Sequence, residues 1–212
     1  MQLFRRRWRR TLYCSALLAI SQILGFAAQV QAAAGAGWST EVLSRLKAGE
    51  ALVHVTAAAS PADGDVRGAI DIPAPAASVW LVLYDCAGAP SFMENLKRCA
   101  VLEQGPSGVW DVREHVVQWT SFLPEVRSVF RSDYTLNQSI RFKRTAGDLA
   151  YLEGSWQLQP LPGGKATRLF YEVRVGLNSF VPGLLVRSAL EKDVPEFLGV
   201  LRQEVMRRSV NR

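Results

Sequence analysis

The stretch AYLEGSWQL, residues 150–158, alternates apolar and polar side chains, with Leu152 and Trp156 in the apolar set. The stretch TRLFYEVRV, residues 167–175, repeats the same period of two. Alternation of this kind is typical of a β-strand with one buried face and one solvated face. Because the Pro- and Gly-containing segment 160–164 separates the two stretches, they predict an antiparallel hairpin inside a larger sheet.

The period of two extends from this hairpin toward the N-terminus. Short segments rich in Gly, Pro, Asn and Asp separate the strands, so successive strands are expected to pair as an antiparallel meander. The first two strands are expected to form a hairpin of their own. The eight predicted strands are residues 51–56, 65–72, 98–104, 108–119, 125–134, 138–144, 149–159 and 166–176.

Apolar residues at helical spacing indicate helices before, between and after the strands. The predicted helices are residues 41–48, 76–84, 91–96 and a long C-terminal helix that starts at Pro182. Ser39 or Thr40 can cap the first helix. In the last one, Asp193 and Glu196 have capping-box spacing and Pro195 has no amide hydrogen, so a kink or restart is expected near residue 193. An antiparallel sheet with segregated helices predicts the α+β class.

The N-terminus has the pattern of a secretory signal peptide. Five arginines between Arg5 and Arg10 precede an almost uncharged apolar run, residues 12–30, and the segment Val30-Gln31-Ala32 fits a cleavage motif. The predicted organisation is therefore a signal peptide at 1–32, a linker at 33–38 and one domain at 39–212. An uncleaved membrane anchor is the alternative, because the apolar run is long enough for one.

Cleavage changes the meaning of the basic composition. The formal net charge of the whole chain is +6, and five of its arginines lie in the signal peptide, so the mature chain has a net charge near +1. The high isoelectric point therefore reflects an export signal, and no nucleic-acid partner is expected. The expected location is outside the cytoplasm, most simply the periplasm.

Two cysteines, Cys86 and Cys99, remain in the mature chain. In an oxidising compartment an even pair at short spacing favours a disulfide. Two buried free thiols are the alternative.

Several segments, in their order along the chain, resemble the START-like helix-grip superfamily (SRPBCC). The resemblance is to its polyketide cyclase/dehydrase and lipid-transport branch, which includes coenzyme Q-binding START proteins, and it spans about residues 50–208. Cys86 departs from it, since an aromatic residue is expected there. The segments are Ile72-Pro73-Ala74-Pro75 with Val79-Trp80, Leu83-Tyr84-Asp85 through Pro90, Phe92, Leu96 and Val101-Leu102, Gly154-Ser155-Trp156, and Val181 to Arg187.

This resemblance implies a curved antiparallel sheet wrapped around the long C-terminal helix, in the START/Bet v 1-like manner. A strongly bent sheet filled by one helix tends to leave an elongated apolar cavity. Simple core packing is the alternative role for any one of the candidate side chains. The cavity candidates are Trp110, Trp119, Phe130, Phe142, Trp156, Tyr171, Phe180, Leu185 and Phe197.

Catalytic residues are not evident. The mature chain has two histidines, His54 and His115, and Glu114 cannot form a dyad with His115 because strand neighbours point to opposite faces. Acid–base chemistry by Glu114, Asp111 or Glu172 is an open alternative that no pattern singles out. No nucleophile elbow, metal-binding motif or phosphate loop is present in the sequence. No catalytic residue, cofactor or metal ion is therefore assigned.

Three functions are compatible with these patterns. The first is an exported binder or carrier of a lipid, quinone or similar apolar molecule. The second is a cyclase- or dehydratase-like enzyme that acts on a hydrophobic substrate, which a buried titratable group in the cavity would favour. The third is an envelope protein that binds no small molecule. Peripheral contact of the arginine-rich final helix with anionic lipid heads is an additional hypothesis.

Overall fold

The computed structural model describes residues 39–57, 63–118, 121, 124–177 and 183–210. Backbone contacts divide the chain into a unit of residues 1–43, of which Ser39 to Leu43 are described, and a unit of residues 44–212. The whole sheet and the two longer helices belong to the second unit. The predicted signal peptide and linker lie outside the described residues, so both stay predictions.

Eight strands form the sheet, each close to its predicted position. They are β1 Leu52–Ala57, β2 Asp63–Ile72, β3 Leu96–Gln104, β4 Trp110–Val117, β5 Val126–Thr135, β6 Ser139–Gly147, β7 Leu149–Pro160 and β8 Thr167–Leu177. All neighbours are antiparallel, in the order β1-β2-β8-β7-β6-β5-β4-β3. Register shifts in β3–β4, β5–β6 and β7–β8 mark bulges, which bend and twist a sheet.

Three helices accompany the sheet: α1 Thr40–Lys47, α2 Ala76–Tyr84 and α3 Gly183–Val210. The Ser39 hydroxyl accepts a hydrogen bond from the Val42 amide at 3.3 Å, so Ser39 caps α1. Gly49, with a φ of +86°, follows the end of α1 in a conformation that favours glycine. The predicted α+β helix-grip fold is confirmed.

The long helix α3 packs mainly against β1, β2 and α2. Leu198, Leu201 and Val205 on α3 are buried, and a Cβ at Gly68 of β2 would lie 3.0 Å from the Leu198 Cδ1. Gly68 therefore lets the helix approach the sheet closely. The restart predicted near residue 193 does not occur, since α3 is one helix that continues through Pro195. Apolar side chains on both sides of Pro195 pack on β2, where a Cβ at Gly64 would meet Leu190 and one at Gly68 would meet Leu198. The kink stays a prediction.

The predicted short helix at 91–96 is also wrong. A 3-10 turn, Ala89–Ser91, occupies only its start, and β3 begins at Leu96. The Gln118 amide donates to the Asn95 carbonyl at 2.9 Å, and Leu96 pairs with Val117. Pairing with β4 thus takes the place of a second helical turn.

A disulfide joins Cys86, just after α2, to Cys99 in the edge strand β3, with the two Cα atoms 5.3 Å apart. This is the pair that the sequence predicts. Since the bond closes a short loop in the unfolded chain, we expect the C86S/C99S variant to lose about 3 kcal/mol of unfolding free energy. Urea titrations of the oxidised wild type and of C86S/C99S check this value, and identical midpoints of the two proteins would contradict it.

Candidate functional site

The two faces of the sheet have different chemical character. Tyr171 of β8 contacts Phe197 of α3, with ring centroids 6.2 Å apart, so Tyr171 lies on the face that the helix covers, called the helix face. Its neighbour Glu172 lies on the opposite, outer face and pairs with Arg67 of β2 at 3.8 Å. The helix face is mainly apolar, and the outer face carries cross-strand ion pairs.

Five of the predicted cavity residues form one continuous row of rings on the helix face. Phe130 of β5 contacts Phe142 of β6, with centroids 5.9 Å apart, and Phe142 lies 6.5 Å from Tyr171. Tyr171 stacks on Trp156 of β7 at 4.1 Å, and Trp156 contacts Phe197 at 5.7 Å. Four strands and the helix therefore each contribute one ring. We call these five residues the aromatic row.

Three rings of the aromatic row, those next to α3, are partly accessible to solvent. Trp156, Tyr171 and Phe197 are only half-buried, although the sheet and α3 lie on either side of them. Burial by the surrounding elements nevertheless raises the pKa of the Tyr171 hydroxyl. Within the described ranges that hydroxyl has no hydrogen-bond partner. Trp156, Tyr171 and Phe197 thus keep some accessible surface next to the contact between the sheet and α3.

The end of the helix face beneath α2 is filled by the protein's own rings. Tyr134 of β5 contacts Tyr84 at 5.1 Å and Trp80 at 5.9 Å, both edge to face. Trp80 is 6% exposed. The Tyr134 hydroxyl is buried beside Asp111 but makes no hydrogen bond of good geometry in the described part of the chain. This end of the interior is a packed core.

A buried ion pair closes the same end. The Arg113 Nε donates to both Asp111 oxygens, at 2.9 and 3.0 Å, and the two side chains are 6% and 1% exposed as residues. The Arg113 Nη atoms donate to the Leu83 and Tyr84 carbonyls at the end of α2, at 3.4 and 2.9 Å. A cation there also complements the helix dipole. Each nitrogen of the Arg113 guanidinium thus has an acceptor, and Arg113 serves to attach α2 to the sheet.

His115 lies at the other end of β4, on the helix face. Its ring meets Phe130 edge to face, with centroids 4.7 Å apart, and its Cα pairs with Ser128 of β5. Burial, together with the positive charge of Arg113, lowers the pKa of His115 to about 4, so the imidazole is neutral near pH 7. The adjacent Glu114 points to the outer face and binds Arg98 and Arg127, as expected for strand neighbours.

The other predicted cavity residues do not join the aromatic row. Trp110 lies on the outer face of β4, where the Arg131 guanidinium sits 4.2 Å from its ring centroid. Strand β4 has polar groups in both alternating sets, so its sequence pattern does not distinguish the faces. Trp119 and Phe180 lie outside the described residues. Leu185 lies in the first turn of α3, and its side chain is outside the described part.

A groove of about 860 Å³ runs along the outer face. Its charges are largely paired across strands, for example Asp65 with Arg174 at 2.7 Å and Lys143 with Glu153 at 3.3 Å. His54 also borders this groove and is exposed. The groove is therefore a solvated polar surface and differs from the apolar cavity that the sequence predicts.

Neither a metal site nor a membrane span is seen in the described ranges. No three His, Cys, Asp or Glu side chains there are placed to hold a metal ion. None of the helices in those ranges is both long and apolar enough to cross a membrane.

Arg144 of β6 is a site residue that the sequence reasoning missed. It follows Ile140 and Phe142 on the same face of the strand, both of which are buried. The sequence contained a signal for this residue, because Ile140, Phe142 and Arg144 are spaced two apart and therefore share one face of the strand. It places a guanidinium next to the aromatic row.

One protein family and several solved structures are similar to this chain. A family model described as polyketide cyclase / dehydrase and lipid transport matches residues 72–202. No curated protein sequence matches. Human STARD10 superposes with a TM-score of 0.63 at 12% identity, covering 74% of this chain and 69% of that chain.

Two bacterial structures are similar in the same way. The STAR-related lipid transfer protein from Xanthomonas axonopodis gives a TM-score of 0.61 at 16% identity, covering 74% of this chain and 94% of that chain. The Zhui aromatase/cyclase from Streptomyces sp. R1128 gives a TM-score of 0.58 at 18% identity, covering 69% of this chain and 96% of that chain. At these identities the likeness establishes a shared fold, which by itself does not specify a function.

Proposed function

This chain belongs to the polyketide cyclase/dehydrase and lipid transport family, and on that premise we propose that it binds a hydrophobic small molecule or lipid between the sheet and α3. The observation that carries the proposal is the aromatic row, whose members Trp156, Tyr171 and Phe197 keep accessible surface on the helix face. An apolar ligand that covered these rings would be stabilised by about 25 cal/mol for each Å² of apolar surface removed from water.

Replacing a ring of the aromatic row tests this proposal. We expect F197A to weaken binding of a neutral hydrophobic dye, Nile red, by roughly tenfold to a hundredfold, because burying a Phe side chain contributes about 1.5–3 kcal/mol. Fluorescence titration of the purified mature chain measures the affinity. W110A is the matched control, since Trp110 is a half-buried aromatic residue on the outer face.

Two results would contradict the binding function. One is equal weakening by W110A and F197A. The other is a wild-type protein that binds no dye and carries no apolar molecule in native mass spectra after purification from the periplasm. The second result would favour the envelope protein that binds no small molecule.

A cyclase- or dehydratase-like activity is the second candidate, and one observation favours it. Asp193 lies on α3 one turn before Phe197, and burial raises the pKa of its carboxyl. The other candidate carboxylates are engaged elsewhere: Arg113 holds Asp111, while Glu114 and Glu172 lie on the outer face. A pKa near 4 also makes His115 a weak base at neutral pH.

Mass spectrometry of a bound ligand separates the two functions. An enzyme of this class would convert its ligand with loss of water, and D193N would abolish the conversion while leaving binding intact. A ligand recovered unchanged from the wild type supports the binding function.

We also propose that the protein is exported, with cleavage after Ala32. The basic and apolar N-terminal pattern supports this, and the Cys86–Cys99 disulfide fits an oxidising compartment. N-terminal sequencing of the protein from a periplasmic fraction would start at Ala33; a chain retained in the membrane with Met1 intact would contradict cleavage.

Contact of the final helix with anionic lipid heads is a further proposal, and the intramolecular ion pairs of that helix compete with it. Arg207 and Arg208 donate to Glu204, and Arg208 also binds Asp85. Arg202 donates to the Asp71 carbonyl at 3.1 Å. These intramolecular contacts occupy much of the cationic surface that lipid heads would need.

A further inference from the structure

Arg144 places a second guanidinium on the helix face, on the opposite side of Phe130 from Arg113. It lies on β6 in the same phase as Ile140 and Phe142, and its Cα pairs with Phe130 across a bulge in β5. Two members of the aromatic row, Phe130 and Phe142, therefore lie next to it in the sheet. His115 contacts Phe130 from the other side, so it belongs to the same region.

The hydrogen bonding of Arg144 is incomplete. Its Nη2 donates to the Gly147 carbonyl at 2.9 Å, while its Nε–H is buried and has no acceptor in the described ranges. Nor does any ion pair in those ranges include Arg144, unlike Arg113 on the same face, whose Nε contacts both oxygens of Asp111. Buried donors are normally satisfied, because an unpaired one destabilises the folded state.

We propose that Arg144 binds the oxyanion head, a carboxylate or phosphate monoester, of an amphiphile whose apolar body lies along the aromatic row. The proposal rests on the ligand-binding function proposed above and specifies the class of ligand. A guanidinium presents a planar fork of donors that matches two oxygens of one anion. The attraction is stronger beside the aromatic row than in water, because apolar surroundings screen charge poorly.

The test compares three ligands with one tail and different heads: palmitic acid, palmityl alcohol and palmitoyl lysophosphatidic acid. Isothermal titration of the mature chain measures each affinity. We expect at least one of the acids to bind roughly tenfold to a hundredfold more tightly than the alcohol, as a charge-assisted hydrogen bond allows. The two acids distinguish a carboxylate head from a phosphate head.

Substitutions assign that preference to one side chain. R144M should remove the preference for acid, so that in this variant the acids bind no more tightly than palmityl alcohol. R141M is the matched control, because Arg141 is an exposed arginine on the outer face of the same strand, and it should keep the wild-type preference. If R144M does not fold, R144K serves instead. Lysine keeps the positive charge but lacks the planar donor geometry of the guanidinium, so R144K should reduce the preference for the acids over the alcohol by a smaller factor than R144M.

The outcomes separate this inference from the function on which it rests. Equal binding of the acids and the alcohol, or an acid preference that survives in R144M, overturns the role of Arg144 while ligand binding stands. Failure of all three ligands to bind, together with failure of Nile red, overturns both.

Discussion

Replacing Arg113 with leucine is expected to lower the free energy of unfolding by about 3–5 kcal/mol, the usual loss when one partner of a buried ion pair is removed. The variant leaves the Asp111 side chain, which is 1% exposed, without its ion-pair partner. It also leaves the Leu83 and Tyr84 carbonyls at the end of α2 without their donors. Both effects destabilise the folded state.

Urea unfolding followed by circular dichroism at pH 7 measures this loss. R174L is the matched control, since Arg174 also contacts two oxygens of one carboxylate, Asp65, but on the outer face with 56% of its side chain exposed. Exposed pairs contribute up to about 1 kcal/mol. A loss in R113L no larger than that in R174L would show that the buried pair does not hold α2 to the sheet.

Stability is expected to fall by up to about 3 kcal/mol as the pH decreases from 7 to 4, because of His115 alone. Its pKa is lowered from 6.5 to about 4 in the folded chain. Between these two values the unfolded chain binds more protons than the folded chain, so acid favours unfolding. The contribution is fully present above pH 6.5 and is lost as the pH falls toward 4.

Thermal unfolding midpoints across this pH range check the prediction. H115Q should flatten the part of the profile above pH 5, where about 2 kcal/mol of the loss is expected and most carboxylates are still ionised. H54Q serves as the control, because His54 is exposed. A profile of H115Q that follows the wild type would contradict a buried neutral histidine.

The Arg113 experiment probes the end of the interior beneath α2, whereas the His115 and ligand experiments probe the region of the aromatic row. Arg113 and Arg144 share the helix face, but Arg113 has donors directed at Asp111 and α2, whereas Arg144 has a buried donor without an acceptor. The division suggests that the end beneath α2 provides stability and that the region of the aromatic row provides recognition.

The sheet was predictable because its signals are local. Alternation in residues 150–158 and 167–175 identifies the strands and places Trp156 and Tyr171 on one face, and the structure pairs them directly. The helix-grip arrangement was predicted from the resemblance of the ordered segments to the START-like superfamily. Local signals failed where long-range contacts compete with them: pairing of Leu96 with Val117 replaced the helix at 91–96, and packing on β1 and β2 carried α3 through Pro195.

Local sequence patterns thus sufficed to predict the order of the strands along the chain, the buried face of the most regular strands and the pairing of the two cysteines. Only the folded chain decided which polar residues of that face are paired. Besides its near neighbour Asp111, Arg113 contacts carbonyls about 30 positions away in sequence, and a bulge in β5 sets the position of Phe130 opposite Arg144. Neither relation has a signature in a short window of sequence, because hydrogen-bond satisfaction depends on distances in space.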